Sequence, residues 1–223
     1  MSVQLEFLKR IPYFDDLGLA ELDSIKRLIF GKEVERGETV LLEGESSEAL
    51  YFIISGMVKM FKTSAEGKEQ ILSIARPGET LNDVAVFDGG PNPTSAHTMT
   101  PVTLYGIKRS NLEFILHEYP TVALNVVKVL AGRVRHLVSL VEDLSFRHVI
   151  GRVANILLQH AGDRTGTRPR LTQQEMAAMA GTVREVVSRS LKTLEERGMI
   201  KLDRHRIVIT NKEALEDMVG IPS

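Results

Sequence analysis

Five polar side chains near the carboxy-terminal end have the types and spacing to read a nucleic acid. Arg184, Glu185, Ser188, Arg189 and Lys192 fall at offsets 0, 1, 4, 5 and 8, which puts them on one face of a helix. Arginine can pair with guanine O6 and N7, and glutamate can accept from cytosine N4, so this face could contact base edges in a major groove. Thr182, just before them, completes the candidate set. The competing reading is a helix face that is merely solvated. Chemistry of other kinds is poorly provided for. The chain has no cysteine, which removes disulfides, thiolate nucleophiles and cysteine-held metal clusters together. Between residues 31 and 109 the only histidine is His97, so a histidine-rich catalytic metal site cannot be assembled there and no metal ligands are assigned.

A second candidate site lies in the stretch from Pro77 to Ser95. Its helix-compatible piece, Asn82 to Phe87, is followed by a loop rich in glycine and proline. Such a segment could set backbone N–H groups around an anionic or polar ligand; it could equally be a long connection.

The elements that must position these residues follow from periodicity. Thr172-Gln-Gln-Glu175 and Thr182-Val-Arg-Glu185 each match a capping box, ten residues apart. A helix of about eight residues should end at Gly181 and a second begin at once, the spacing of a helix-turn-helix. Val183, Val187, Leu191 and Leu194 form the second helix's buried stripe. Glu185 carries two duties in this reading, since a capping-box glutamate turned back to Thr182 is not wholly free to read a base. Gly198 to Ile209 reads as a hairpin with Asp203 to Arg206 at its tip, a basic wing beside the recognition helix. Upstream, Phe146 to His160 reads as a helix buried through Val149, Val153, Ile156 and Leu157, and Ala161 to Arg170 as a loop.

The longest periodic stretch runs from Ala123 to Leu144. Ala123, Val127, Leu130, Val134, Leu137, Val141 and Leu144 are separated by alternating steps of 4 and 3, an a/d heptad that predicts a self-associating seam rather than the broader stripe of a surface helix. Arg133, Arg135, His136, Glu142 and Asp143 between them fit a solvated remainder. Pro120 is well placed to start this helix, after a shorter one at Asn111 to His117. Earlier in the chain, residues 4 to 9 and about 17 to 29 look helical, the latter through Leu19, Leu22, Ile25, Leu28 and Ile29. From Lys32 to Arg109 the texture is β-like, with runs at Thr39 to Leu42, Leu50 to Ile54, Met57 to Phe61, Gln70 to Ile74 and Val102 to Ile107. Gly56, Gly67, Gly78 and Gly89 punctuate them at intervals of 11. Regular turns of that kind point to a compact antiparallel roll or barrel.

Composition is that of a soluble globular protein, 43% hydrophobic and 26% charged over 223 residues. The net charge of −1 hides a division. Residues 1–144 carry 15 basic against 20 acidic side chains, and residues 145–223 carry 13 against 9. The carboxy-terminal third is therefore the part suited to a polyanion. The amino terminus lacks the apolar core of a signal peptide and no apolar run approaches the length of a membrane span, so a cytoplasmic protein without a membrane partner is expected. Catalysis is a poor fit for lack of ligands; a small-molecule-binding module acting only through protein contacts is the other alternative, against which the exposed Arg184 and Arg189 argue.

Over nearly its whole length the chain resembles the CRP/FNR family of bacterial transcription regulators. The resemblance is carried by Ile54-Ser-Gly-Met-Val58, Pro77-Gly-Glu79, the heptad helix, and Leu171 to Ile200 with Arg184-Glu185 and Ser188-Arg189. It implies an α+β fold: an amino-terminal antiparallel β-roll of jelly-roll (double-stranded β-helix) type in residues 1–119, a dimerisation helix at 120–144, and a winged helix-turn-helix at 145–223. The seam would use Val127, Leu130, Val134, Leu137, Val141 and Leu144. Arg184, Glu185 and Arg189 would be base-reading residues, in an Arg-Glu-x-x-x-Arg form similar to that of members reading TGTGA half-sites. Double-stranded DNA with a pseudo-palindromic site, RNA polymerase, a second copy of the chain and a small effector are the implied partners. The effector would lie against Asn82, Asp83, Thr94, Ser95, Leu137, Val138 and Val141.

Three departures bear on that effector. Members that bind cyclic AMP have Arg-Ser where this chain has Thr94-Ser95, Gly-Glu where it has Asn82-Asp83, and Thr-Ser where it has Leu137-Val138. Losing the arginine removes a charge-assisted phosphate contact, and the helix change puts apolar surface where hydroxyls would meet the base. A largely apolar effector is expected in place of cyclic AMP, or haem, since the resemblance extends to members that sense gases through haem; His97 and His136 are the candidates to hold it by location. The missing cysteines exclude an iron–sulfur cluster of FNR type.

Overall fold

The computed structural model describes residues 3–160, 171–203 and 206–219. The loop expected at Ala161 to Arg170 and the wing tip at Arg204 and His205 lie outside them. The described residues form two compact units, 1–62 with 72–136, and 63–71 with 137–223.

In the first unit, helix α1 (Leu5–Leu8), a single 3-10 turn (Pro12–Phe14) and helix α2 (Leu19–Lys26) precede the strands. The β-region is a roll of two four-stranded sheets. One has the order β1 (Ile29–Val34), β8 (Val102–Lys108), β3 (Ala49–Ser55), β6 (Thr80–Leu81). The other has the order β2 (Thr39–Leu41), β7 (Ser95–Thr98), β4 (Val58–Thr63), β5 (Glu69–Ala75). Pairing is antiparallel, as in Ile29 opposite Ile107, Tyr51 opposite Gly106, and Val58 opposite Thr98. Between the sheets the roll is filled by Val34, Leu41, Ile53, Val58, Leu81, Ala96 and Leu104. A larger core under the amino-terminal segment joins Leu8, Ile11, Phe14 and Ile25 to Phe52, Ile107 and Ile115, and to Val122 and Val126 of the long helix. The 11-residue glycine spacing has a conformational cause: Gly56, Gly67, Gly78 and Gly89 all have φ between +76° and +94°. At Gly56 space matters as well, because a Cβ would come 2.3 Å from the Pro101 carbonyl oxygen.

Helix α3 (Asp83–Asp88) interrupts the roll, and α4 (Arg109–Glu118) leads into α5 (Pro120–Phe146), which begins at the proline singled out from the sequence and continues past Leu144. In the second unit α6 (Val149–His160), α7 (Gln173–Ala180), α8 (Arg184–Glu196), the hairpin β9 (Ile200–Asp203) and β10 (Arg206–Ile209), and α9 (Lys212–Val219) share one core. It is built from Val153, Ile156, Leu157, Met176, Val187, Leu191, Leu194 and Leu215. No helix among the described residues is long and apolar enough to cross a membrane.

Several expectations are corrected. Ile29 begins β1 instead of closing α2, since cross-strand pairing with Ile107 buries it better than another helical turn would. Strands β1, β6 and β7 fall outside the β-like runs expected from the sequence, because Gly31-Lys-Glu33, a two-residue strand and Ser95-Ala-His-Thr98 carry little β-propensity of their own. The second capping box does not form. The Thr182 N–H is used 3.0 Å from the Ala177 carbonyl to close α7, so Val183 becomes the N-cap of α8, with no side-chain cap. Val183 is consequently 53% exposed and not part of the buried stripe. Arg133 and Asp143 are not simply solvated: Arg133 donates to Asp83, and Asp143 accepts from Asn155 Nδ2 (2.8 Å) and pairs with Arg147 (3.1 Å).

Candidate nucleic-acid interface and effector cavity

Helix α7 starts at the capping box read from the sequence: Glu175 N–H donates to Thr172 Oγ1 (3.1 Å), and Thr172 N–H to Glu175 Oε2 (2.6 Å). It ends at Gly181, whose φ of +63° turns the chain sharply into α8. Burial of Val187, Leu191 and Leu194 then fixes the rotation of α8 about its axis. Arg184, Glu185, Ser188, Arg189 and Lys192 face solvent together, with Thr182 half-buried at the turn before them. Among the described residues, no side chain pairs with Arg184, Glu185 or Arg189. Lys192 has only a long i,i+4 approach of 3.9 Å to Glu196. With the second capping box unformed, the Glu185 carboxylate is released from the duty that made it ambiguous. Two uncompensated guanidiniums and a free carboxylate on one exposed helical face present both the donors and the acceptor that base edges require. Behind them the hairpin is tied to α8, the Leu202 N–H donating to Glu195 Oε1 (2.7 Å).

In the first unit a small cavity is lined by Leu41, Met60, Asn82, Asp83, Val84, Asn92, Pro93, Thr94 and Arg133. Three residues named from the sequence, Asn82, Asp83 and Thr94, are thus brought together. Ser95 is buried beside them, with its hydroxyl accepting the Glu43 N–H (3.1 Å). Leu137, Val138 and Val141 belong to the second unit and are exposed. His97 packs edge-on to Phe61, and His136 Nε2 lies 3.4 Å from the Leu72 carbonyl; neither lines the cavity.

Asp83 is the centre of the cavity's polar wall, and its side chain is fully buried. The Tyr13 hydroxyl and the Thr80 hydroxyl (2.7 Å) both donate to its Oδ1, while Arg133 Nη1 donates to Oδ2. Arg133 Nη2 also donates to the Thr80 carbonyl (2.7 Å). Burial first, and then the negative charge of Asp83, push the Tyr13 hydroxyl well above the usual phenol range, so it stays a donor. Asn82 adopts a left-handed conformation (φ +72°), which asparagine tolerates better than most residues. Its amide is pinned by donation to the Ala49 carbonyl (2.8 Å), and that of Asn92 by donation to Leu42 (2.9 Å).

Arg133 is the functional residue that sequence reasoning missed. The signal was present: Arg133 lies one helical turn before Leu137, and a carboxylate as buried as Asp83 needs a cationic partner. Its charge is balanced by Asp83, and among the described residues no second arginine lines the cavity.

Known proteins match both halves of this arrangement. Residues 31–119 fit the profile of the cyclic nucleotide-binding domain, and residues 151–218 that of the Crp-like helix-turn-helix domain. The chain is 34% identical over 217 residues to the CRP-like cAMP-activated global transcriptional regulator of Mycobacterium tuberculosis, spanning 94% of this chain and 97% of that one. It is 30% identical to the catabolite activator protein of Thermus thermophilus, whose crystal structure it matches at a TM-score of 0.56 over 95% of this chain and 100% of that one. A putative regulator of the crp/fnr family from Eubacterium rectale, at 21% identity, has the same fold, with a TM-score of 0.78 over 95% and 99% of the two chains.

Proposed function

This chain belongs to the CRP/FNR family of transcription regulators, and we propose that it acts as a homodimer reading a pseudo-palindromic DNA site under the control of a small effector other than cyclic AMP. The observation that carries the DNA reading is the exposed face of α8, where Arg184, Glu185 and Arg189 have no partner among the described residues. A twofold dimer presents two such faces about 34 Å apart, so the half-sites lie one helical turn from each other. RNA polymerase, in the cytoplasm, is the partner that the family implies.

Selection of binding sites from a random duplex pool tests the assignment. Arg189→Ala should cost ~1–3 kcal/mol and relax the preference at one base pair of each half-site, because a base contact specifies where a phosphate contact only strengthens. Retention of the wild-type preferences by Arg189→Ala would overturn it.

The effector reading rests on the cavity. Cyclic AMP needs a cation for its phosphate, and the one arginine among the described lining residues is held by Asp83 and Thr80. The Mycobacterium tuberculosis relative is named as cAMP-activated, so cyclic AMP is the ligand to test. We expect millimolar cyclic AMP to leave both the melting temperature and the DNA affinity of the wild type unchanged. Occupancy at about 100 times Kd would add ~2.7 kcal/mol of stability, so even a 10 μM site would show itself at 1 mM. A clear rise in melting temperature would refute the exclusion. The haem alternative gains nothing from this cavity, since neither His97 nor His136 lines it.

A further inference from the structure

We infer that Gln70, on the strand hairpin β4–β5, is a positioning residue for the DNA-reading helix. The inference rests on the DNA-binding reading of α8 and concerns a residue far from its exposed face.

The last carbonyls of a helix lack donors of their own and must find them elsewhere. In α7 the Ala177 carbonyl takes the Gly181 and Thr182 N–H groups, but two later carbonyls are served by side chains from other elements. Arg152 Nε of α6 donates to Ala180 (2.7 Å), and Gln70 Nε2 donates to Met179 (3.2 Å). Gln70 also touches the turn itself. A Cβ on Gly181 would lie 3.1 Å from Gln70 Oε1 and 3.0 Å from Leu144 Cδ2, so the left-handed residue between the two helices is enclosed by both side chains. Three residues later α8 begins, with Val183 as an N-cap that offers no side-chain bond. The launch direction of Arg184 is therefore set by the turn, and the turn is held by Gln70, Arg152 and Leu144.

The origin of this support is what gives it consequence. Gln70 stands at the start of β5, in the 63–71 segment that belongs to the second unit. Strand β5 is hydrogen-bonded to β4, and β4 carries Met60 in the cavity lining.

Two substitutions separate donation from bulk in the full-length chain. Gln70→Glu keeps the shape but offers a carboxylate to the helix's carbonyl end; Gln70→Lys keeps a donor and suits that end's partial negative charge. Gln70→Glu should weaken binding to the selected duplex about two- to tenfold, the range of one lost hydrogen bond. It should also speed amide hydrogen exchange at residues 181–185 in the free protein. Gln70→Lys should restore both. The positioning role is overturned if Gln70→Glu binds and exchanges as the wild type does, or if Gln70→Lys is as impaired as Gln70→Glu. The exchange measurement needs no DNA, so a failure of the base-reading assignment would leave it intact and be recognised separately.

Discussion

Val141→Glu is expected to sediment as a monomer at micromolar concentration, under conditions where the proposed wild-type homodimer holds together. On α5, Val127, Val134, Val138 and Val141 are each at least 60% exposed and Leu137 is 48% exposed. An apolar stripe of this length on one helix marks a covered surface. Its 3.5-residue repeat is the pattern by which a helix packs on its own copy. Since a twofold seam is isologous, one substitution introduces two carboxylates at neighbouring positions. At several kcal/mol for each desolvated charge, dissociation should rise on the order of ten-thousandfold. Val141 makes this test clean. Leu130, also in the heptad, packs against its own chain's core, and a charge there would confound folding with association. A Val141→Glu protein that remains dimeric would mean that the seam lies elsewhere.

The largest loss within the single chain is expected at Asp83. Replacing it by alanine leaves Arg133 without its counter-charge and takes one acceptor from the Tyr13 and Thr80 hydroxyls. Removing one member of a buried ion pair costs about 3–5 kcal/mol, and the one-third exposure of Arg133 places this case near the lower end. The midpoint of urea unfolding reads it directly. The network also fastens α5 to the amino-terminal turn: Asn125 donates to the Asp15 carbonyl (2.8 Å) two turns before Arg133 does so to Thr80. Asp83→Leu combined with Arg133→Leu should recover only the part of the loss that comes from the unpaired charge, because the Tyr13 and Thr80 hydroxyls still lack the acceptor that Asp83 supplied. A cost below about 1 kcal/mol for Asp83→Ala would show that the pair contributes little.

The features that the sequence determined by itself are those whose cause is local. The helical span of α5, the capping box at Thr172 and the glycines at left-handed turns each express a preference of a few adjacent residues, and each stands where expected. So does the solvent-facing set on α8, because a 3.6-residue period sorts its own faces. Tertiary structure decided the rest. Strands β1, β6 and β7 exist because partners supply hydrogen bonds and burial that Gly31-Lys-Glu33 or Ser95-Ala-His-Thr98 could not attract alone. Thr182 lost its capping role because its N–H was already committed to ending α7. Arg133 passed for a solvated residue between heptad positions, since nothing in the local pattern says that residues 13, 80 and 83 converge on it. A charge has no period. Where its partner comes from another part of the chain, only the fold that brings them together can say whether it faces water, a ligand or a buried carboxylate.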